Sequence, residues 1–188
     1  MPYLKKNKFL WGVLLWLSFC LPVFAANAGI QIKSAELKQI DEVYYLDAKL
    51  DVTLSPILEE ALKNGVSLYF ITDFDFTHPR WYWWNEDFAH ISRVTRLSYN
   101  ALLQQYLVSG VNIRARSFDT LAEALFQLGE IDDWPVIARD RLVKHELYQA
   151  SLSMRLDTSE LPKPLQINAI ATGRWELDST PLVWMMTL

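Results

Sequence analysis

Val43-Tyr44-Tyr45-Leu46-Asp47-Ala48-Lys49-Leu50-Asp51-Val52-Thr53-Leu54 alternates apolar and polar side chains from Tyr44 onward. A strand turns successive side chains to opposite faces, so Tyr44, Leu46, Ala48, Leu50, Val52 and Leu54 share one side that asks to be buried. Tyr45, Asp47, Lys49, Asp51 and Thr53 take the other, wet side. One buried face per strand is the mark of antiparallel sheets rather than of a parallel sheet covered on both faces.

The segments on either side extend the pattern. Ile30 to Ile40 predicts a preceding strand, and the polar Gln39-Ile40-Asp41-Glu42 stretch serves as the turn of an antiparallel hairpin. Downstream, Ser55 caps a short helix with Pro56 at its first position, Glu59 and Glu60 near its start, and Asn64-Gly65 as its stop. Val66 to Phe76 is again a strand, with Val66, Leu68, Phe70, Thr72, Phe74 and Phe76 on one face. Arg93 to Tyr99 and Gln105 to Ser109 predict two strands joined near Asn100 to Gln104, with an amphipathic helix over Tyr99 to Leu107 as the alternative.

Val111 to Phe118 continues as strand, and Thr120-Leu121-Ala122-Glu123 opens a second helix that ends at Gly129. Tyr148 to Asp157 is another long strand. Leu161-Pro162-Lys163-Pro164-Leu165 cannot lie inside a sheet, because neither proline donates to a ladder. Gln166 to Ala171 and Gly173 to Leu177 supply the last strands. The fold class is therefore mainly β (α+β): an antiparallel β-sandwich with two short helices covering an edge or an end.

The first 28 residues read differently. Lys5, Lys6 and Lys8 precede an apolar run from Phe9 to Phe24, followed by Val23-Phe24-Ala25 and Ala26-Asn27-Ala28. A basic end, an oily middle and small residues at alternate positions describe a secretory signal peptide, cleaved after Ala28 or Ala25. The run is short of the roughly 18 to 20 residues that cross a membrane, so an uncleaved inner-membrane anchor is the lesser alternative. Cys20 follows Phe19 rather than a small residue, which disfavours a lipid anchor. The expected organisation is a signal peptide over 1–28 and one β-rich domain over 29–188, located in the periplasm.

Removal of that segment changes the charge from 18 − 22 = −4 to 15 − 22 = −7. An acidic chain is a poor partner for nucleic acid, whose phosphates are bound by clustered positive charge. The only cysteine leaves too, so no disulfide or thiolate chemistry is expected. Phosphate-loop and dinucleotide glycine motifs are absent, as is the G-x-S-x-G of serine hydrolases. No cofactor is expected. Metal ligation would fall to His78, His90, Glu86 and Asp87, with His145 distant, but no paired spacing joins them and no metal is expected.

The densest cluster of interest is His78-Pro79-Arg80-Trp81-Tyr82-Trp83-Trp84-Asn85-Glu86-Asp87. Aromatic faces beside a cation can stack on sugars or seat a partner, which makes Arg80, Trp81, Tyr82, Trp83 and Trp84 a candidate binding surface. The favoured account is that Trp81 and Trp83 finish the core while Tyr82 and Trp84 cover a hairpin end. Asp73 and Asp75 share a strand face and could in principle pair for glycoside hydrolysis, but the wet face of a sheet is the preferred reading of them. Arg93, Arg96, Arg114 and Arg116 form a modest basic set that either meets an anionic partner or makes cross-strand ion pairs.

Three stretches carry a resemblance. They are Pro79-Arg80-Trp81-Tyr82-Trp83, then Arg96-Leu97-Ser98-Tyr99-Asn100-Ala101-Leu102 with Gln105-Tyr106, and Leu156-Asp157-Thr158-Ser159-Glu160-Leu161-Pro162-Lys163-Pro164-Leu165-Gln166-Ile167-Asn168-Ala169. Together they resemble the DUF4390 family of exported, uncharacterised proteobacterial proteins, from about Ile30 to Trp184. The resemblance implies an envelope accessory beside a membrane sensor kinase and assigns no catalytic residues. The expected function is thus a non-enzymatic binding protein for an envelope protein or ligand; the alternatives are a cell-wall hydrolase working through paired carboxylates and a membrane-tethered protein.

Overall fold

The computed structural model describes residues 28–78, 86–111, 113–143, 146–166 and 175–187. β1 (Gly29–Ile40) and β2 (Val43–Thr53) form the expected hairpin, with Ile40 opposite Val43. Asp41 at its turn takes φ 53°, the left-handed region that tight hairpin turns use and aspartate tolerates. β7 (Glu130–Ala138) pairs with the other edge of β2, giving a three-stranded sheet of order β1-β2-β7.

The second sheet has six strands. β3 (Leu68–His78) pairs with β4 (Glu86–Asn100) and β8 (Leu147–Leu156), which places it centrally. β5 (Gln105–Gly110) and β6 (Ile113–Phe118) extend one side, and β9 (Leu182–Thr187) the other. The order is β6-β5-β4-β3-β8-β9, with every neighbour antiparallel. Two facing antiparallel sheets and two short helices match the architecture that the alternation predicts.

The core lies between the sheets. β2 sends in Leu46, Ala48, Leu50 and Val52; β3 sends Leu68, Phe70, Phe74 and Phe76; β8 sends Tyr148, Ala150, Leu152 and Met154. Rings stack through it, with Phe76 and Tyr148 centroids 5.0 Å apart and Phe74 and Phe76 6.2 Å apart. The Tyr148 hydroxyl accepts the Val143 N–H at 2.9 Å, so a polar tip is satisfied at the edge of an apolar layer.

α1 (Pro56–Lys63) starts where Ser55 accepts the Leu58 N–H, buries Leu58, Ala61 and Leu62, and gives way at Gly65 with φ 88°. α2 (Leu121–Gly129) is capped by Thr120, which accepts the Glu123 N–H at 3.2 Å, and buries Ala124 and Leu128. It packs on β2 and reaches β5 and β6. Its last residue must be glycine for a steric reason: a Cβ at Gly129 would stand 2.0 Å from the Leu50 carbonyl oxygen.

Glu130 to Ala138, to which the sequence pattern assigns no element, forms β7; two bulges and the positive φ of Asp133 break its alternation, and Pro135 sits on an edge strand where a missing N–H is tolerated. Three sequence expectations need correction. Val111 to Phe118 is not one continuation, because the chain turns and β6 folds back on β5 from Ile113. The helix alternative over Tyr99 to Leu107 is replaced by a turn in which Asn100 Oδ1 accepts the Leu102 and Leu103 N–H groups at 3.0 and 3.1 Å. Trp175 to Leu177 is not strand; the final strand is β9, and residues 167–174 lie outside the described part.

Candidate functional site: an arginine-lined cleft

Period two along β4 puts Ala89, Ile91, Arg93, Thr95 and Leu97 on the inward face. Thr95 and Leu97 are 3% and 0% exposed, so Arg93 is an arginine on the apolar side of a strand. A charge there needs a reason, because desolvating it is costly.

The reason is a gap in the smaller layer. β7 packs over β4, and α2 packs over β5 and β6, and a cleft of about 230 Å³ opens where they diverge. Arg93, Thr95 and Val108 line it from β4 and β5; Ile113, Arg114 and Arg116 line it from β6. Gln127 at the end of α2 and Glu130 and Asp132 at the start of β7 complete it. Arg116 Nη1 donates to Gln127 Oε1 at 2.8 Å, tying β6 to α2.

The guanidiniums of Arg93 and Arg114 make no hydrogen bond or ion pair with the described residues. Burial pushes the Arg93 pKa below the ordinary arginine value, and the Asp132 carboxylate opposes that shift. Glu130 is drawn partly away by Lys49, 3.7 Å distant. Three arginines against Glu130 and Asp132 leave a local balance of 3 − 2 = +1 in an otherwise acidic chain. Such an arrangement can hold an oxyanion, since the guanidinium fork matches carboxylate and phosphate oxygens.

The basic set expected from sequence is thus divided. Arg93, Arg114 and Arg116 meet at the cleft, whereas Arg96 lies on the opposite face of β4, donating to Ser67 Oγ and lying 5.8 Å from the Tyr69 ring centre. Gln127, Glu130 and Asp132 were not foreseen; the only available signal was an arginine at an inward position between Ile91 and Thr95.

Asp73 and Asp75 project from β3 to the outer face of the larger sheet, two positions apart on one strand, and do not face each other as two walls. Asp73 accepts from Ser92 Oγ at 2.5 Å and lies 3.5 Å from Arg155 Nε. Asp75 Oδ1 is 2.6 Å from His90 Nδ1, and His90 Nε2 is 3.3 Å from Ser92 Oγ. This serine–histidine–aspartate order has the form of an acyl-transfer relay. Its hydroxyl is committed to Asp73, and the β4 backbone around it is in ladder with β3 on one side.

Arg80, Trp81, Tyr82, Trp83 and Trp84 lie outside the described residues. His78 Nε2 is 3.2 Å from Glu146 Oε2, and His78 packs near Tyr148. Among the described residues, no three His, Cys, Asp or Glu side chains group to hold a metal ion, and no helix is long and apolar enough to cross a membrane.

Fold and cleft together define an antiparallel β-sandwich module with a basic recess at one flank. The chain belongs to the family described as a domain of unknown function, DUF4390, whose model matches residues 27–185. No curated protein and no solved structure matches it.

Proposed function

We propose that this chain is an exported, non-enzymatic binding protein of the bacterial cell envelope, and that the arginine-lined cleft is its binding site. The observation that carries the reading is Arg93, a largely buried guanidinium with no bonded partner among the described residues, aimed into a recess that two further arginines share. Unfavourable burial of charge concentrates at sites of function.

Export to the periplasm rests on the basic, apolar and small-residue order of the first 28 residues, and the family match begins at residue 27, where that order ends. An accessory role beside a membrane sensor kinase is in keeping with the family resemblance. The outer-face Asp73 and Asp75 are each held by sheet neighbours, which favours binding over hydrolysis.

A photo-crosslinking residue placed at Gln127 in intact cells tests the site. Discrete adducts from Gln127, lost when Arg93 becomes glutamine and absent from a probe at the exposed Glu36 on β1, are the expected result. The same adducts from both positions would contradict it.

A further inference from the structure

We infer that the group held in the cleft is the carboxylate at the C-terminal end of a peptide. The inference rests on the reading of the cleft as the binding site and adds the chemistry of what enters it.

Four features point the same way. The lining's own balance of +1, with Glu130 shared with Lys49, suits a small anion, and the Asp132 carboxylate in the same wall weighs against a dianionic phosphate. At about 230 Å³ the recess is below the roughly 300 Å³ where pockets for whole drug-sized ligands begin, so it admits an end group. Val108 and Ile113 add an apolar wall on which a terminal side chain can rest.

The fourth is the way out. β6 ends the six-strand order, so one side of its backbone has no strand partner among the described residues. An extended peptide leaving the cleft can run beside that edge and exchange main-chain hydrogen bonds with it, while guanidiniums hold its carboxylate. Arg93 supplies the desolvated contact, and Arg114, on β6 itself and not tied to Gln127 as Arg116 is, supplies a second.

Isothermal titration of the purified full chain with trialanine, trialanine amide and inorganic phosphate is the test. The free acid is expected to bind, with affinity falling tenfold or more for the amide, for Arg93→Gln and for Arg114→Gln. Arg114 is exposed, so its variant stays informative if the Arg93 variant folds poorly. Equal binding of acid and amide, tighter binding of phosphate, or unchanged affinity in both variants would overturn the inference. No peptide binding while Gln127 adducts still depend on Arg93 would overturn the carboxylate and leave the binding site standing.

Discussion

The Asp133 backbone N–H donates to Asp47 Oδ1 at 2.9 Å, joining the bulge of β7 to the wet face of β2. Asp133 holds φ 48° there, an uncommon angle for a side-chain-bearing residue that the surrounding bonds must stabilise. Asp47 also accepts from Lys38 on β1, so one carboxylate ties all three strands of the smaller sheet.

Those bonds hold the Asp47 pKa below its ordinary 3.8, the Lys38 hydrogen bond first and the Asp133 N–H second. A depressed carboxyl contributes stability that is present above the unfolded pKa and lost as pH falls through the folded one. Asp47→Asn is therefore expected to lower stability by about 1 kcal/mol near neutral pH. Melting temperatures of the two proteins should converge in acid, below 3.8; a gap independent of pH would contradict the assignment.

Gly129→Ala is expected to cost about 1 to 3 kcal/mol, since the added methyl meets a carbonyl oxygen of β2 that belongs to the backbone and cannot swing aside. Urea unfolding measures it. An unchanged midpoint would mean that α2 does not close on Leu50.

Phe76 is 1% exposed and stacked on Tyr148, whereas Leu102 is 95% exposed in the turn between β4 and β5. Phe76→Ala should cost about 3 to 5 kcal/mol, and Leu102→Ser less than about 0.5. Comparable losses would place the core elsewhere.

The Ser92, His90 and Asp75 order is expected to be inert towards a fluorophosphonate probe, because Ser92 gives its proton to Asp73 at 2.5 Å and lies 3.3 Å from the His90 ring nitrogen that would have to take it. Mass spectrometry of the treated protein reads the outcome. A covalent adduct on Ser92 would reopen hydrolysis.

The layers were legible because β2, β3 and β8 keep strict alternation over long runs, and a period of two has one structural meaning when one face is oily. β7 was not, because its bulges place Trp134, Val136 and Ile137 inward out of phase and Pro135 argues against a strand until its edge position is known. The site was half visible. Arg93, Arg114 and Arg116 stood out as a basic set, but their meeting depends on β4, β5 and β6 lying side by side in the sheet and on α2 and β7 packing over different strands of it, which spacing along the chain does not reveal. Arg96 shared the set only by composition; parity sends it to the other face.

The most direct test of Arg93 as a functional charge rather than a structural one is the unfolding free energy of Arg93→Met, which keeps the aliphatic stem and removes the guanidinium. Stability equal to or above that of the parent is expected, since a partly buried charge without a bonded partner among the described residues is lost and only the exposed Asp132 is left behind. A loss of 3 kcal/mol or more, of the kind that breaking a buried ion pair gives at about 3 to 5 kcal/mol, would contradict it and make Arg93 a strut of the sandwich.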